Sequence, residues 1–206
     1  MNAAPRTLVL ASGNAGKLEE FRALLAGRDF EVRAQDEFGV EDAEETGLSF
    51  IENAILKARH ASRATGLPAL ADDSGLCVDA LDGAPGLYSA RYGGGHGDAD
   101  RNIDRLLREL DGVADPDRGA GFVCALALLR HPEDPHPIVV EGQWRGTILR
   151  ERRGGGGHGY DPVFLDPVHG QTAAEMPLQL KNRISHRGQA LALLVERLSA
   201  TAAPPR

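Results

Sequence analysis

Thr7-Leu8-Val9-Leu10-Ala11-Ser12-Gly13-Asn14-Ala15-Gly16-Lys17 is the stretch that sets the fold class. Thr7–Ala11 reads as a short buried strand, and Ser12-Gly13-Asn14 as the turn that ends it. Leu18, Phe21 and Leu25 then share one helical stripe, with Gly27 as its stop signal. Outward from this strand–turn–helix, Glu31–Ala34 reads as a second short strand and Glu41–Thr46 as an acidic loop. Ser49 and Glu52 have capping-box spacing, which predicts that Glu52 reaches back to the Ser49 amide. In the helix that follows, Ile51, Ala54, Ile55 and Ala58 form the apolar stripe, while Asn53, Lys57 and His60 fall opposite. Gly66 and Pro68 end that helix, and Ala69–Ala71 is a strand delivering Asp72-Asp73-Ser74-Gly75. Ile103, Leu106, Leu107 and Leu110 mark another amphipathic helix, and Ala190, Leu191, Leu194, Val195 and Leu198 a last one. Gly121–Leu129 and Ile138–Leu149 read as two long neighbouring strands joined by a proline-rich turn. Helices alternating with strands around a strand-rich middle predict an α/β protein with mixed strand directions.

The chain has 206 residues, 42% apolar and 26% charged, which suits one globular domain or two merged lobes, with short disordered tails about 1–6 and 201–206. No run approaches the roughly 18 apolar residues of a membrane span, and Thr7–Ala11 is too short for a signal-peptide core. A cytoplasmic protein without membrane contact is therefore expected. Cys77 and Cys124 stand far apart with no C-x-x-C pair, which predicts buried thiols and neither disulfide nor zinc knuckle. A net charge of −7 argues against a nucleic-acid partner, because duplex-binding surfaces are basic. It leaves room for a small polyphosphate met by a local cluster of donors. Many of the 25 glycines gather at Gly93–Gly97 and Gly154–Gly159, marking loops.

Four constellations can carry chemistry. Ser12–Lys17 opens a helix after a strand, so its amides, glycines and lysine can cradle an anion. The spacing is not that of a Walker A loop, and a plain polar turn is the competing reading. Asp72-Asp73-Ser74-Gly75, at a strand end with Glu44 and Glu45 upstream, suits a magnesium site or a simple Asx turn. Neighbouring carboxylates on a strand point apart, so one would reach the cation while the other orients a neighbour. His158-Gly159-Tyr160-Asp161 follows the glycine run. There Tyr160 can offer a ring or a hydroxyl to a ligand, or simply pack over a turn, and the loop could flex over a substrate. Lys181, Ser185, His186 and Arg187 cluster before the last helix, where they can meet phosphate and a carbonyl oxygen or merely cap that helix. His96, His131, His136 and His169 lack metal-ligand spacing.

Together SGNAGK (Ser12–Lys17), EETGLSFIENAILKA (Glu44–Ala58), ADDSGL (Ala71–Leu76), GAPGLYSARY (Gly83–Tyr92), GYDPVF (Gly159–Phe164) and ISHRGQAL (Ile184–Leu191) resemble the inosine/xanthosine triphosphate pyrophosphatase family, the RdgB-like house-cleaning nucleotidases. The resemblance runs from about Leu8 to Leu198. It implies an elongated mixed sheet with flanking helices, forming two lobes around a central nucleotide cleft. It also implies a homodimer and Mg2+-dependent hydrolysis of ITP, dITP or XTP to the monophosphate and pyrophosphate. By resemblance, Ser12, Gly13, Asn14, Ala15, Gly16, Lys17 and Lys181 bind the triphosphate. Asp73 is the metal-linked base, and Glu45 a further carboxylate at the cation. Ser74, His158, Gly159, Tyr160, Asp161, His186 and Arg187 belong to the substrate site, with Asp72 and Lys57 in support. One position departs from the family: His158 stands where Phe is usual, adding a polar edge near the base. A Maf-like nucleotide pyrophosphatase and a nucleotide sensor without turnover are the alternative readings.

Overall fold

The structure, a computed structural model, describes residues 5–27, 30–95 and 97–201. Its strands are β1 (Arg6–Leu10), β2 (Phe30–Ala34), β3 (Ala69–Val78), β4 (Gly119–Leu129), β5 (Ile138–Ile148), β6 (Phe164–Asp166) and β7 (Gln171–Thr172). Its α-helices are α1 (Ala15–Leu25), α2 (Phe50–Thr65), α3 (Ala99–Glu109), α4 (Leu178–Ile184) and α5 (His186–Thr201). The strands form one seven-stranded sheet in the order β2-β1-β3-β4-β5-β6-β7. β1 runs parallel to β2, from Arg6 opposite Phe30 to Leu10 opposite Ala34, and parallel to β3 at Val9–Ala69 and Leu10–Leu70. β6 is antiparallel to both β5 and β7, so the sheet is mixed and the α/β class holds. Among the described residues, no helix is long and apolar enough to cross a membrane.

Two compact units divide the chain: Met1–Asp73 with Ala125–Glu141 and Ala190–Arg206, and Ser74–Cys124 with Gly142–Gln189. The first unit's core is built from small side chains, with Ala54, Ala58 and Ala61 of α2 beside Val9, Ala69, Ala71, Ala125 and Ala127. Alanines on both sides let a helix backbone lie close to a sheet. The second unit's core is aromatic, with Tyr92, Phe122, Trp144, Tyr160 and Phe164 among the buried residues. In β5, buried Val140, Gly142, Trp144, Gly146 and Ile148 alternate with more exposed residues, as a strand solvated on one face should.

Several sequence expectations need correction. β3 does not stop at Ala71 but continues through Asp72–Gly75 to Val78, because lysines neutralise its two aspartates and Leu76 and Val78 are buried. The buried face of α2 is Asn53, Ala54, Ala58, Ala61 and Ser62, while Ile51 is 37% exposed. Asn53 is thus an inward residue and not a solvated one. The capping box closes on a different amide. Ser49 Oγ accepts from Glu52 N (3.2 Å), but Glu52 Oε2 takes Leu48 N (2.8 Å) and the Ser49 hydroxyl (2.9 Å). α5 begins at His186, four residues before its apolar run, because Ser185 caps it through Gly188 N (3.2 Å). Neither cysteine is in a disulfide; Cys124 is buried and Cys77 only half-buried. Of the expected tails, Arg6 belongs to β1 and Thr201 to α5; residues 1–4 and 202–206, like His96, lie outside the described residues.

Candidate active site

In the first unit, β1 ends at Leu10 and the chain turns through Ser12–Asn14 into α1. Asn14 is the N-cap: its Oδ1 accepts from Lys17 N (3.0 Å), and Ser12 Oγ accepts from Asn14 N (3.2 Å). Those two amides are therefore satisfied within the turn. Residues 13–16 are exposed, and a Cβ on Gly13 would meet nothing within 4 Å. Gly13 and Gly16 are also absent from the positive-φ glycines. The fold does not need glycine at position 13, so the turn presents open backbone that something else can approach.

Asp72 and Asp73 take different lysines, as alternation along a strand requires. Lys17 Nζ pairs with buried Asp72 at 2.5 Å. Lys57, on α2, reaches Asp73 Oδ1 at 2.9 Å and Glu45 Oε1 at 2.8 Å, so one ammonium bridges two carboxylates from β3 and the acidic loop. Glu45 and its neighbour Glu44 are both exposed. Burial alone would lower the Lys57 pKa, but Asp73 and Glu45 outweigh it and hold the ammonium above its usual range. Asp73 faces the opposite balance. Burial pushes its carboxyl up, and Lys57 and Asn53 offset only part of this while Glu45 adds to it.

Asn53 is the residue that sequence reasoning missed. Its Oδ1 accepts from Gly47 N (2.8 Å), its side chain bonds Asp73, and it is 2% exposed. It ties the acidic loop, α2 and β3 together. The tie shows only in the fold, where a Cβ on Gly47 would sit 2.6 Å from Asn53 Oδ1. Whether this cluster suits a divalent ion can be judged from its donors. Two carboxylates already share one cationic partner, and Mg2+ takes one or two carboxylates and fills its shell with water and phosphate oxygens. Glu45 and Asp73 fit that demand. Among the described residues, no group of three or more His, Cys, Asp or Glu side chains gathers as a metal set.

In the second unit, Asp161 organises the glycine loop. Its Oδ2 accepts from His158 N (2.7 Å) and from Lys181 Nζ, and it is 3% exposed. Gly156 N bonds Ala174 O (3.1 Å) and Arg153 N bonds Pro162 O (2.8 Å), so the run is tied down on both sides and is not a free flap. Tyr160 departs from expectation. It is 3% exposed in the aromatic core and donates its hydroxyl to Ser89 O (2.9 Å), so it places the loop without offering its ring. Burial raises its hydroxyl pKa above the ordinary tyrosine value. His158 and Gly159 are its more accessible neighbours, and Ser74 is half-buried in β3. His186 and Arg187 are half-buried at the start of α5, where the imidazole stacks on Phe122 with centroids 4.9 Å apart and planes 14° apart. The hollow along α2 (about 440 Å³, at Glu52, Ile55 and Arg59) and that beside Arg6 and Phe30 (about 730 Å³) contain none of these residues. We place the candidate site on the side-chain clusters, because reactive groups and not concavity alone define a site.

The fold and these clusters define a class: an α/β protein with a seven-stranded mixed sheet, bearing a lysine-bridged carboxylate pair and an exposed strand-to-helix turn. The chain belongs to the Ham1 family, whose sequence profile matches residues 8–197. It is 64% identical over 193 residues to a dITP/XTP pyrophosphatase of Xanthomonas oryzae pv. oryzae, covering 94% of this chain and 97% of that protein. A Salmonella typhimurium protein of the same name is 58% identical over 191 residues, covering 93% and 97%. Among solved structures, a HAM1 protein from Coxiella burnetii superposes with a TM-score of 0.91 at 50% identity, covering 95% of this chain and 99% of that one. A nucleoside-triphosphatase / dITP/XTP pyrophosphatase from Mycobacterium abscessus gives 0.78 at 45% identity, covering 92% and 98%.

Proposed function

We propose that this protein is a nucleoside-triphosphate pyrophosphatase that hydrolyses dITP, XTP and ITP to the monophosphate and pyrophosphate, clearing non-standard purines from the cytoplasmic nucleotide pool. The observation that carries the reading is the Glu45–Lys57–Asp73 bridge, which supplies a half-buried carboxylate of raised pKa beside a second one. Similarity to dITP/XTP pyrophosphatases over nearly the whole chain supports the substrate class.

Asp73 is the general base: it accepts the proton of the water that attacks phosphorus. Asn53 and Lys57 orient its carboxylate. Glu45 and Asp73 would hold Mg2+, which when bound neutralises phosphate oxygens and eases departure of pyrophosphate. Ser12–Lys17 receives the phosphate chain, with open backbone over Gly13 and the Lys17 charge fixed by Asp72. Lys181 adds a second cation, held by Asp161. Ser74, His158, Gly159, His186 and Arg187 serve the nucleoside end, and Tyr160 fixes the loop that carries His158 and Gly159. The working form is a homodimer, which light scattering tests.

Base choice follows from hydrogen-bond polarity. Hypoxanthine presents a 6-keto acceptor and adenine a 6-amino donor, so Arg187 aimed there pairs with the first and opposes the second. An unmatched buried polar group costs roughly 1–3 kcal/mol, enough for useful discrimination. Arg187→Ala is expected to narrow the dITP/dATP ratio of kcat/KM, and an unchanged ratio removes Arg187 from that readout. The deciding experiment for the activity is product analysis with dITP and Mg2+. Monophosphate and pyrophosphate in equal amounts support the reading; release of inorganic phosphate alone, or no conversion, overturns it.

A further inference from the structure

We propose that Phe122 is a positioning residue for purine selection, acting through His186; the claim rests on the reading of His186 as part of the nucleoside site. A histidine at the start of a helix has its backbone fixed, and here the fixing is strong. Ser185 caps α5, and a Cβ on Gly188 would overlap the Asn182 carbonyl, so this turn admits no larger residue there. The terminal side-chain torsion of an imidazole is intrinsically broad and roughly two-fold, so the plane of the ring is set by what packs on it. Rotation about it swings the ring's two nitrogens away from any fixed hydrogen-bonding direction. Phe122 restrains the plane of the imidazole, because its own ring lies almost parallel to it, 14° apart at 4.9 Å.

Phe122 is itself held from behind. Its ring packs on Phe164 at 4.6 Å and 53°, and faces Trp144 at 6.3 Å and 29°. Trp144 packs edge-on to Phe164 at 5.0 Å and donates Nε1 to buried Asp166 Oδ2 at 2.8 Å. Asp166 Oδ1 is fixed in turn by the amides of Val168 (2.7 Å) and His169 (3.0 Å). A continuous series of contacts therefore runs from the β6–β7 turn, through three aromatic rings, to the plane of the His186 imidazole. Arg187, the next residue, can only donate, whereas a neutral imidazole offers one donor and one acceptor whose directions follow its ring plane.

The test compares kcat/KM for dITP and dATP in Phe122→Leu and Phe122→Tyr, and in Phe122→Leu combined with His186→Ala. Ring pairs are worth a roughly two- to tenfold effect, so Phe122→Leu should narrow the dITP/dATP ratio by about that factor, mainly through a higher KM for dITP. Phe122→Tyr, which keeps the ring, should restore the ratio. In the His186→Ala background, Phe122→Leu should change nothing further, since an effect routed through one side chain is lost with it. An equal fall for both substrates, or an effect that multiplies onto His186→Ala, overturns the proposal. If the leucine variant does not fold, Phe122→Met carries the same expectations. If the wild type does not cleave dITP, the pyrophosphatase reading fails separately. The Phe122 claim is then decided by IMP against AMP binding in calorimetry, where a wild-type preference for IMP lost in the variant supports it and no preference overturns it.

Discussion

Asp73 is held in an unfavourable state by its surroundings, and that has opposite consequences for catalysis and stability. A carboxyl whose pKa is raised in the fold destabilises the native state when ionised, and the penalty disappears as pH falls through the raised value. Asp73→Asn keeps the shape and removes the charge. Its melting temperature is expected to equal or exceed that of the wild type, while turnover drops by about 10²–10⁴, the usual worth of a general base. Wild-type-like kcat would remove Asp73 from the base role. Lys57 works in the other direction: its ammonium opposes the rise at Asp73. Lys57→Met should therefore move the acid limb of the kcat/KM profile to higher pH, because Asp73 then faces Glu45 without the cation between them. A limb that stays in place would show that the bridge does not tune the base.

At the scale of elements, the glycine loop between β5 and β6 shows how one position is constrained and another is not. Gly157 has φ +74°, and a Cβ there would overlap Asp161 Oδ2, the atom that holds His158 N and Lys181. A Cβ on Gly155 would meet nothing within 4 Å. Gly157→Ala is expected to lower the melting temperature and raise KM for dITP, since left-handed backbone costs an alanine about 1–2 kcal/mol and Asp161 is displaced as well. Gly155→Ala should match the wild type in both measurements. Arg118 does comparable work between α3 and β5. It is 2% exposed and donates to Leu110 O (2.8 Å), Ile148 O (2.8 Å) and Leu149 O (3.0 Å). Each buried carbonyl left unpaired costs about 1–3 kcal/mol, so Arg118→Met should lose several kcal/mol in urea denaturation.

For the whole molecule, the Lys57 bridge predicts that folding and metal dependence are separate. Glu45 and Asp73 already share a cation from the chain itself, so their mutual repulsion is offset without a bound ion. Chelation with EDTA is expected to stop turnover while leaving the melting temperature and the far-ultraviolet spectrum unchanged. A large loss of stability on chelation would mean that the carboxylates depend on the divalent ion for their placement. This behaviour differs from that of small metal-dependent domains, in which binding free energy is folding free energy.

The amino-acid order alone determined the strand–turn–helix at Thr7–Leu25, the helix that starts at Ser49, the two long strands and the α/β class, together with the motif set that marks the family. Periodicity, caps and turn residues act over a few positions, so these features can be read without a partner segment. Tertiary structure alone decided the rest. It carried β3 through the Asp72–Asp73 pair and turned Asn53 inward. It gave Asp72 to Lys17, 55 residues away, and Asp73 to Lys57, 16 residues away. It also drew Tyr160 into the core and laid Phe122 against His186. Which carboxylate meets which ammonium, and which ring faces which, depends on strand register and helix rotation. Those are fixed only when distant segments pack and the cost of burying a charge is met by another.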